Sequence, residues 1–405
     1  MKILWLKTEL LHPVDKGGKI RTYHLLKQLK ADHQVTYLTL DDGSAPADAQ
    51  DNAVEYCHEL IRISHATREK FSAGFYAELA VNMASPLPYA IRKYKSEQMT
   101  KAIEQATSKD HFDVVICDFL APAVNLPRDL KTPVVLFQHN VEASIWQRHY
   151  EVQSNSVKKR YLYWQWRKMQ KFERDACRRV DCVIAVSEAD ARMMERDYGL
   201  AKVYDIPTGV DIDFFKPTGK IATRPNSLVF TGSMDWLPNE DAMQYFINEC
   251  LPLVREAVPD LHLTIVGRSP YPSLVELAQR DPNIAVTGRV DDVRPYIEEA
   301  TAFIVPIRIG GGTRLKIYEA MAMEKPVIST TVGAEGLPLH HGKELLLADN
   351  PKAFADAVVK VLRDSSLATQ LGKSAAELVR QNLGWRGVSA NMAQICQTVI
   401  NNKTA

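Results

Sequence analysis

No stretch of eighteen consecutive apolar residues occurs in the 405-residue chain, so the sequence offers no helix suited to spanning a membrane. Its first apolar run, Ile3 to Leu6, meets Lys7 and Glu9 and is too short for the core of a secretion signal. Cysteine is sparse: Cys57, Cys117, Cys177, Cys182, Cys250 and Cys396 form no C-x-x-C pair, which excludes a zinc ribbon and argues against a disulfide framework. Neither sign of charge is in excess. Fifty Lys and Arg against 49 Asp and Glu give a net charge of +1, which disfavours a surface given over to nucleic acid. A G-x-G-x-x-G after a leading strand is missing, as is G-x-x-x-x-G-K-[ST], and this counts against NAD binding and P-loop ATP hydrolysis. Internal repeats and low-complexity tracts are also lacking. Together these absences read as a soluble, reduced, cytoplasmic protein without a structural zinc.

What is present is an ordinary globular balance, 46% hydrophobic and 24% charged, enough to bury the cores of two domains of roughly 200 residues each. Short aliphatic and β-branched runs recur at intervals wide enough for a helix. They are Lys2 to Leu6, Val35 to Leu40, Leu60 to Ile63, Asp113 to Cys117, Val134 to Phe137, Cys182 to Val186 and Val203 to Ile206. The rhythm repeats with Leu228 to Thr231, Leu261 to Val266, Ile284 to Thr287, Ala302 to Val305, Pro326 to Ser329 and Leu345 to Leu347. Runs without polar alternation mark strands covered on both faces, the habit of parallel sheets with helical crossovers. Two such sets predict an α/β protein of two doubly wound, Rossmann-like domains. Pro and Gly cluster from Pro207 to Pro217. That cluster divides the chain into 1–209 and 210–385, with a C-terminal helix over 386–405 expected to pack back on the first domain.

In an open α/β sheet, ligands gather beyond the carboxyl ends of the strands. The loop richest in chemistry there runs from Pro306 to Ala322. Gly310, Gly311 and Gly312 let a phosphate approach the backbone, and Thr313 is a good N-cap for a helix whose first N–H groups favour an anion. Arg314 and Lys316 add positive charge, and Glu319, about a turn and a half into the helix, is placed to accept hydrogen bonds from a ribose diol. The same residues also suit a tight turn with an exposed Lys316 and Glu319 pair. After the first strand, Gly17 and Gly18 open another helix with Arg21 on its first turn, again presenting bare N–H groups. His139 follows the strand Val134 to Phe137, where it reaches either a substrate hydroxyl or phosphate or nearby loop backbone. Asp118 and Ser187-Glu188 stand at equivalent strand ends and read as helix caps or turn residues. Residues 157 to 180 form a basic helix. Leu162, Trp166, Met169, Phe172, Ala176 and Val180 make its apolar stripe, with Arg160, Arg167, Lys168, Lys171, Arg174 and Arg178 opposite. Tyr163 and Trp164 fall among the cations, a pattern suited to anionic lipid headgroups or to a solvated charged face.

Taken together, these loops resemble the family 4 retaining glycosyltransferases of GT-B architecture, two Rossmann-like domains facing across a cleft. The similarity is essentially full length. It rests on Gly310-Gly-Gly-Thr-Arg-Leu-Lys-Ile-Tyr-Glu-Ala-Met-Ala322, on Lys325-Pro-Val-Ile-Ser-Thr-Thr-Val-Gly-Ala-Glu-Gly336, and on Gly17-Gly18. Phe230-Thr-Gly-Ser-Met-Asp-Trp-Leu-Pro-Asn239 is similar to the form found in sugar transferases of bacterial exopolysaccharide clusters. The resemblance implies transfer from a nucleotide-diphosphate sugar to a glycan, glycolipid or other hydroxyl acceptor, with no metal and no resident cofactor. It implies that Glu319 holds the ribose, that Gly17 and Gly18 touch the diphosphate by backbone, that His139 sits beside the sugar, and that Val290 helps seat the nucleobase. Gly232, Arg21, Gly311, Gly312 and Thr313 join the donor site on the same ground.

Two departures stand out. The earlier glutamate of the family falls at Gly311, and Gly232 to Met243 contains no cation where an Arg and Lys pair commonly stands. Arg314, Lys316 or Arg268 is expected to supply that charge, with His139, Arg314 and Lys316 as the catalytic groups. Expected partners are the donor, a glycan or lipid-linked acceptor and, through 157–179, an anionic membrane surface, but no nucleic acid. A sugar-nucleotide epimerase or hydrolase on the same fold and a non-catalytic membrane-surface scaffold are the alternatives.

Overall fold

The computed structural model describes residues 1–15, 17–68, 72–109, 111–309 and 314–404. They fall into two compact units, Met1–Pro207 with Val388–Ala405, and Thr208–Gly387. In the first, β1 (Lys2–Lys7), β2 (Gln34–Asp41), β3 (Glu59–Ser64), β4 (Val114–Asp118), β5 (Val134–Phe137), β6 (Cys182–Ala185) and β7 (Tyr204–Asp205) form a parallel sheet ordered β3-β2-β1-β4-β5-β6-β7. In the second, β8 (Ser227–Thr231), β9 (His262–Val266), β10 (Ile284–Val286), β11 (Ala302–Val305), β12 (Val327–Ser329) and β13 (Leu346–Leu347) form another, ordered β10-β9-β8-β11-β12-β13.

The apolar runs become strands because both faces of each sheet are covered. Ile3, Leu4, Trp5 and Leu6 of β1 are all fully buried, and each such side chain contributes roughly 1.5–3 kcal/mol relative to exposure. Leu4, Leu6, Val115, Cys117 and Leu136 meet Met99, Ile103 and Met169 from flanking helices in the first core. In each sheet the winding reverses beside the first strand of the unit, between β1 and β4 and between β8 and β11. At such a reversal the two loops leave in opposite directions and open a crevice beyond the strand ends. Lys7 and Asp118 end the strands at the first reversal, Thr231 and Val305 at the second.

The basic helix spans Ser156–Arg179, N-capped by Asn155, whose side chain accepts from Lys158 N. Met169 and Ala176 of its apolar stripe are buried in the first core, whereas Tyr163 and Trp164 are 42% and 46% exposed. The last helix, Trp385–Thr404, crosses from one unit to the other at Gly387. Its first-unit part is tied by Ser389 Oγ donating to Leu25 O at 3.4 Å and by Lys403 Nζ pairing with Asp181 at 2.8 Å. Among the described residues, no helix is long and apolar enough to cross a membrane.

Candidate active site

At the first reversal Lys7 ends β1, directly after the buried apolar run Ile3 to Leu6. A buried ammonium needs partners, and Lys7 Nζ donates to Asp118 Oδ2 at 2.7 Å and to Thr22 Oγ1 at 2.6 Å. Asp118 Oδ2 also accepts from Trp5 Nε1 at 3.0 Å and from Thr22 Oγ1 at 2.6 Å, while Oδ1 meets His139 Nε2 at 2.6 Å. An ionised carboxylate can only accept, so Nε2 carries the imidazole proton and Nδ1 is left as a lone-pair acceptor. Among the described residues, no hydrogen bond reaches that buried Nδ1.

Aromatic rings hold the imidazole. Phe119 stacks on His139 at 3.7 Å between centroids, and Phe137 lies at 4.6 Å. Phe119 takes a φ of 73°, rare for a bulky residue. That conformation brings its ring 4.2 Å from Lys7 Nζ and against the start of the helix Gly17–Asp32. A Cβ on Gly18 would stand 2.7 Å from Phe119 Cζ, whereas one on Gly17 would meet nothing within 4 Å. Burial alone would raise the Asp118 carboxyl, yet Lys7 and His139 hold it well below the usual carboxylate range. Burial takes His139 down to about 3 against the pull of Asp118, so the ring is neutral at ordinary pH. Burial also lowers Lys7, opposed by Asp118. Arg21, buried on the same helix, adds its positive field to both groups.

Asp118 is no cap or turn residue; it is the hub of this cluster, because Lys7, Thr22 and His139 converge on it across the sheet. Ser187 does cap a helix, its Oγ accepting from Asp190 N at 3.1 Å.

At the second reversal Gly232 follows β8. A Cβ there would lie 2.6 Å from Lys316 Nζ and 2.7 Å from Asn239 Nδ2, so glycine lets the ammonium come down on the backbone. Lys316 Nζ donates to Asn239 Oδ1 at 2.9 Å and stands 4.1 Å over the Phe230 ring. Asn239 Nδ2 in turn donates to Ser233 O at 2.8 Å. The helix carrying Lys316 runs Leu315–Ala322 with Arg314 at its cap position and no side-chain cap bond. The cap thus falls on Arg314 instead of Thr313, and Glu319 lies in the second turn. Arg314 is buried, its guanidinium 5.1 Å from the Trp236 ring centre. Burial draws Lys316 down to about 7, with Arg314 pushing the same way and Glu319 opposing. It pushes Glu319 up to about 7, opposed by Lys316.

Arg268 donates through Nε to Ser233 Oγ at 2.7 Å and pairs with Asp235 at 3.7 Å. Val290 packs half-buried on the second core. Gly311, Gly312 and Thr313 lie outside the described residues. Of the three cations expected to replace the missing pair, Lys316 reaches Gly232 and Asn239, Arg268 reaches Ser233, and Arg314 lies against the Trp236 ring.

The sequence reading missed Lys7, Thr22, Trp5 and Phe119 in the first cluster, and Asn239 and Trp236 in the second. A signal existed for Lys7, since a lysine closing the buried apolar run Ile3 to Leu6 demands a counter-charge. None of that kind marks Thr22 or Phe119. Among the described residues, no group of three or more His, Cys, Asp or Glu is placed to hold a metal ion.

Residues 16–214 match the family described as Glycosyltransferase Family 4, and residues 225–364 the one described as Glycosyl transferases group 1. A 44.6 kDa protein of the cps region of Klebsiella pneumoniae is 20% identical over 393 residues, 94% of this chain and 96% of its own length. Phosphatidyl-myo-inositol mannosyltransferase of Mycobacterium leprae is 29% identical over 224 residues, covering 53% of this chain and 59% of that protein. Among solved structures, sucrose-phosphate synthase of Thermosynechococcus elongatus superposes with a TM-score of 0.69 at 17% identity, over 99% of this chain and all of the other. Anabaena HepE in complex with UDP gives a TM-score of 0.68 at 13% identity, over 98% of this chain and all of the other.

Proposed function

We propose, from the premise that the chain belongs to glycosyltransferase family 4 and has the GT-B fold, that it moves a sugar from a nucleotide-diphosphate sugar to a hydroxyl of a glycan or lipid-linked acceptor. Configuration is retained, and the product is a cell-surface polysaccharide or glycolipid. The observation that carries this reading is Lys316, brought down on Gly232 at the second reversal with Glu319 on the same helix. As the bond from sugar to diphosphate breaks, negative charge grows on the leaving oxygen, and fixed positive groups out of water stabilise it best. Lys316 and Arg314 supply that charge, and an arriving diphosphate keeps Lys316 protonated. Glu319 accepts from the ribose diol. Gly311, Gly312 and Thr313 add backbone donors by the family resemblance, and Val290 seats the base with Arg268 at the edge.

In the first unit, Gly17 is the glycine with room beside it for phosphate, since Phe119 occupies the space beside Gly18. Arg21 contributes field. His139, its tautomer fixed by Asp118, offers Nδ1 to a hydroxyl of the transferring sugar. The leaving phosphate takes the acceptor proton, so no carboxylate is assigned as base. Because HepE is described in complex with UDP-glucose, a UDP-sugar is the first donor to try. A thermal-shift panel with UDP-glucose and GDP-mannose tests the reading, since a ligand bound only by the folded state raises Tm. A shift abolished by Lys316→Ala supports it; no shift with any nucleotide sugar overturns it. Nucleotide release that needs no acceptor would point instead to a hydrolase or epimerase.

The basic helix supports a second part of the proposal, peripheral contact with an anionic membrane. Lys158, Arg160, Arg167 and Lys171 are exposed around Tyr163 and Trp164. The helix Ala73–Met83 adjoins them, with Lys168 Nζ donating to Asn82 O at 2.7 Å, and exposes Tyr76, Val81 and Met83. Apolar tips ringed by cations suit an anionic lipid interface. Co-sedimentation with phosphatidylglycerol-containing vesicles but not with pure phosphatidylcholine is expected, and binding to neither, or equal binding to both, overturns it.

A further inference from the structure

Asp118 fixes Nε2 of His139 and the Phe119 and Phe137 rings hold its plane, but the direction in which the bare Nδ1 faces also depends on how the backbone that carries the ring is anchored. The chain on the far side of His139 enters the helix Glu142–Val152, whose cap residue, Val141, has no side chain able to satisfy the first N–H groups. A carboxylate from the basic helix does it instead. Glu173, fully buried, accepts through Oε1 from Glu142 N at 2.9 Å and through Oε2 from Ala143 N at 2.8 Å. Oε1 also accepts from Gln138 Nε2 at 3.1 Å, and Oε2 from Tyr198 OH at 2.7 Å. Gln138 N meanwhile donates to Ile184 O of β6 at 2.8 Å.

We propose that Glu173 is a positioning residue that clamps the segment 138–143 on both sides of His139 and so sets which way its imidazole faces. Capping alone explains the bonds to residues 142 and 143. It does not call for the bond to Gln138, which closes the bracket around His139. All four partners of the carboxylate are neutral donors, and burial pushes Glu173 up to about 7 against three of them, Tyr198 and the two backbone N–H groups. Burying a charge without a counter-ion is costly, and here the helix N-terminus and the hydroxyl offset the cost. The importance of the His139 orientation rests on the glycosyl-transfer reading, but the orientation itself does not, and the experiment reads the orientation.

Histidine labelled with 15N in the full chain, with His139→Gln to assign the signal, reports the tautomer by long-range proton–nitrogen correlation. The wild type is expected to show His139 as a single Nε2–H tautomer. In Glu173→Gln that signature is expected to be lost, giving averaged shifts on both nitrogens, while thermal unfolding stays cooperative. Tyr198→Phe, which loosens the carboxylate from the side away from the loop, is expected to lower Tm and keep the signature. If Glu173→Gln lowers Tm yet leaves His139 as in the wild type, Glu173 is a cap and nothing more. A Tyr198→Phe variant that moved His139 as far would overturn the proposal as well. Should Glu173→Gln fail to fold, Gln138→Ala cuts the loop-side bond alone and carries the same two readings.

Discussion

Lys7, buried, and Lys316, half-buried, both stand at the reversal of a parallel sheet, and both lie over a phenylalanine ring. Their partners differ. Lys7 has a carboxylate at 2.7 Å, whereas Lys316 has the neutral amide of Asn239 at 2.9 Å. In the first unit the charges answer one another, so Asp118 is held well below its usual range. In the second they are one helical turn apart, and burial drives Lys316 and Glu319 toward neutrality from opposite directions. The first arrangement is a finished scaffold that orients His139. The second is poised, with electrostatic demand that an anion with a diol would meet.

The largest expected effect breaks the pair. Lys7→Met leaves Asp118 buried without its cation and should cost about 3–5 kcal/mol of unfolding free energy, read by urea denaturation. Lys316→Met abandons no carboxylate and should stay within about 1 kcal/mol of wild type; equal losses would erase the contrast. Next in size is ligand affinity. Lys316→Met should weaken binding of UDP-glucose by about 1.5–3 kcal/mol, the worth of a charge-assisted hydrogen bond, measured by calorimetry.

The pH dependence sharpens the same contrast. If Lys316 meets the diphosphate and Glu319 the ribose, as proposed, loss of the Lys316 proton above about pH 7 and gain of one by Glu319 below it both weaken binding. Affinity for UDP-glucose should therefore peak near neutrality and fall on both sides, by up to about tenfold per unit. Lys316→Arg should flatten the alkaline limb, since a guanidinium keeps its charge, and Glu319→Gln the acid limb. A profile unaltered in both variants would reassign the titration. The smallest contrast is between neighbouring glycines. Gly18→Ala must push Phe119 aside, at about 1–3 kcal/mol, while Gly17→Ala, with open space around its Cβ, should stay within about 0.5 kcal/mol.

Much of the fold was legible because a strand buried on both faces leaves an unbroken apolar run. Val134 to Phe137 and Ala302 to Val305 are strands over those same residues. The run Val203 to Ile206 shortens to Tyr204–Asp205, since an edge strand pairs on one side only. The local parts of the candidate site were legible, since Gly17-Gly18 opens a helix and Lys316 and Glu319 share one. Asp118 was not, because an aspartate before a turn looks alike whether it caps a helix or anchors a cluster.

The order of strands and helices, the parallel sheets and the glycine turns follow from short-range pattern: apolar continuity, helix starts and residues without Cβ. Which charges meet follows from nothing of that range. Lys7 and Asp118 are 111 residues apart in the chain, Asp118 and His139 are 21 apart, and Lys316 and Asn239 are 77 apart. These groups are brought together only when the sheets order their strands out of sequence, and burial then decides which charges are paired and which are left to wait.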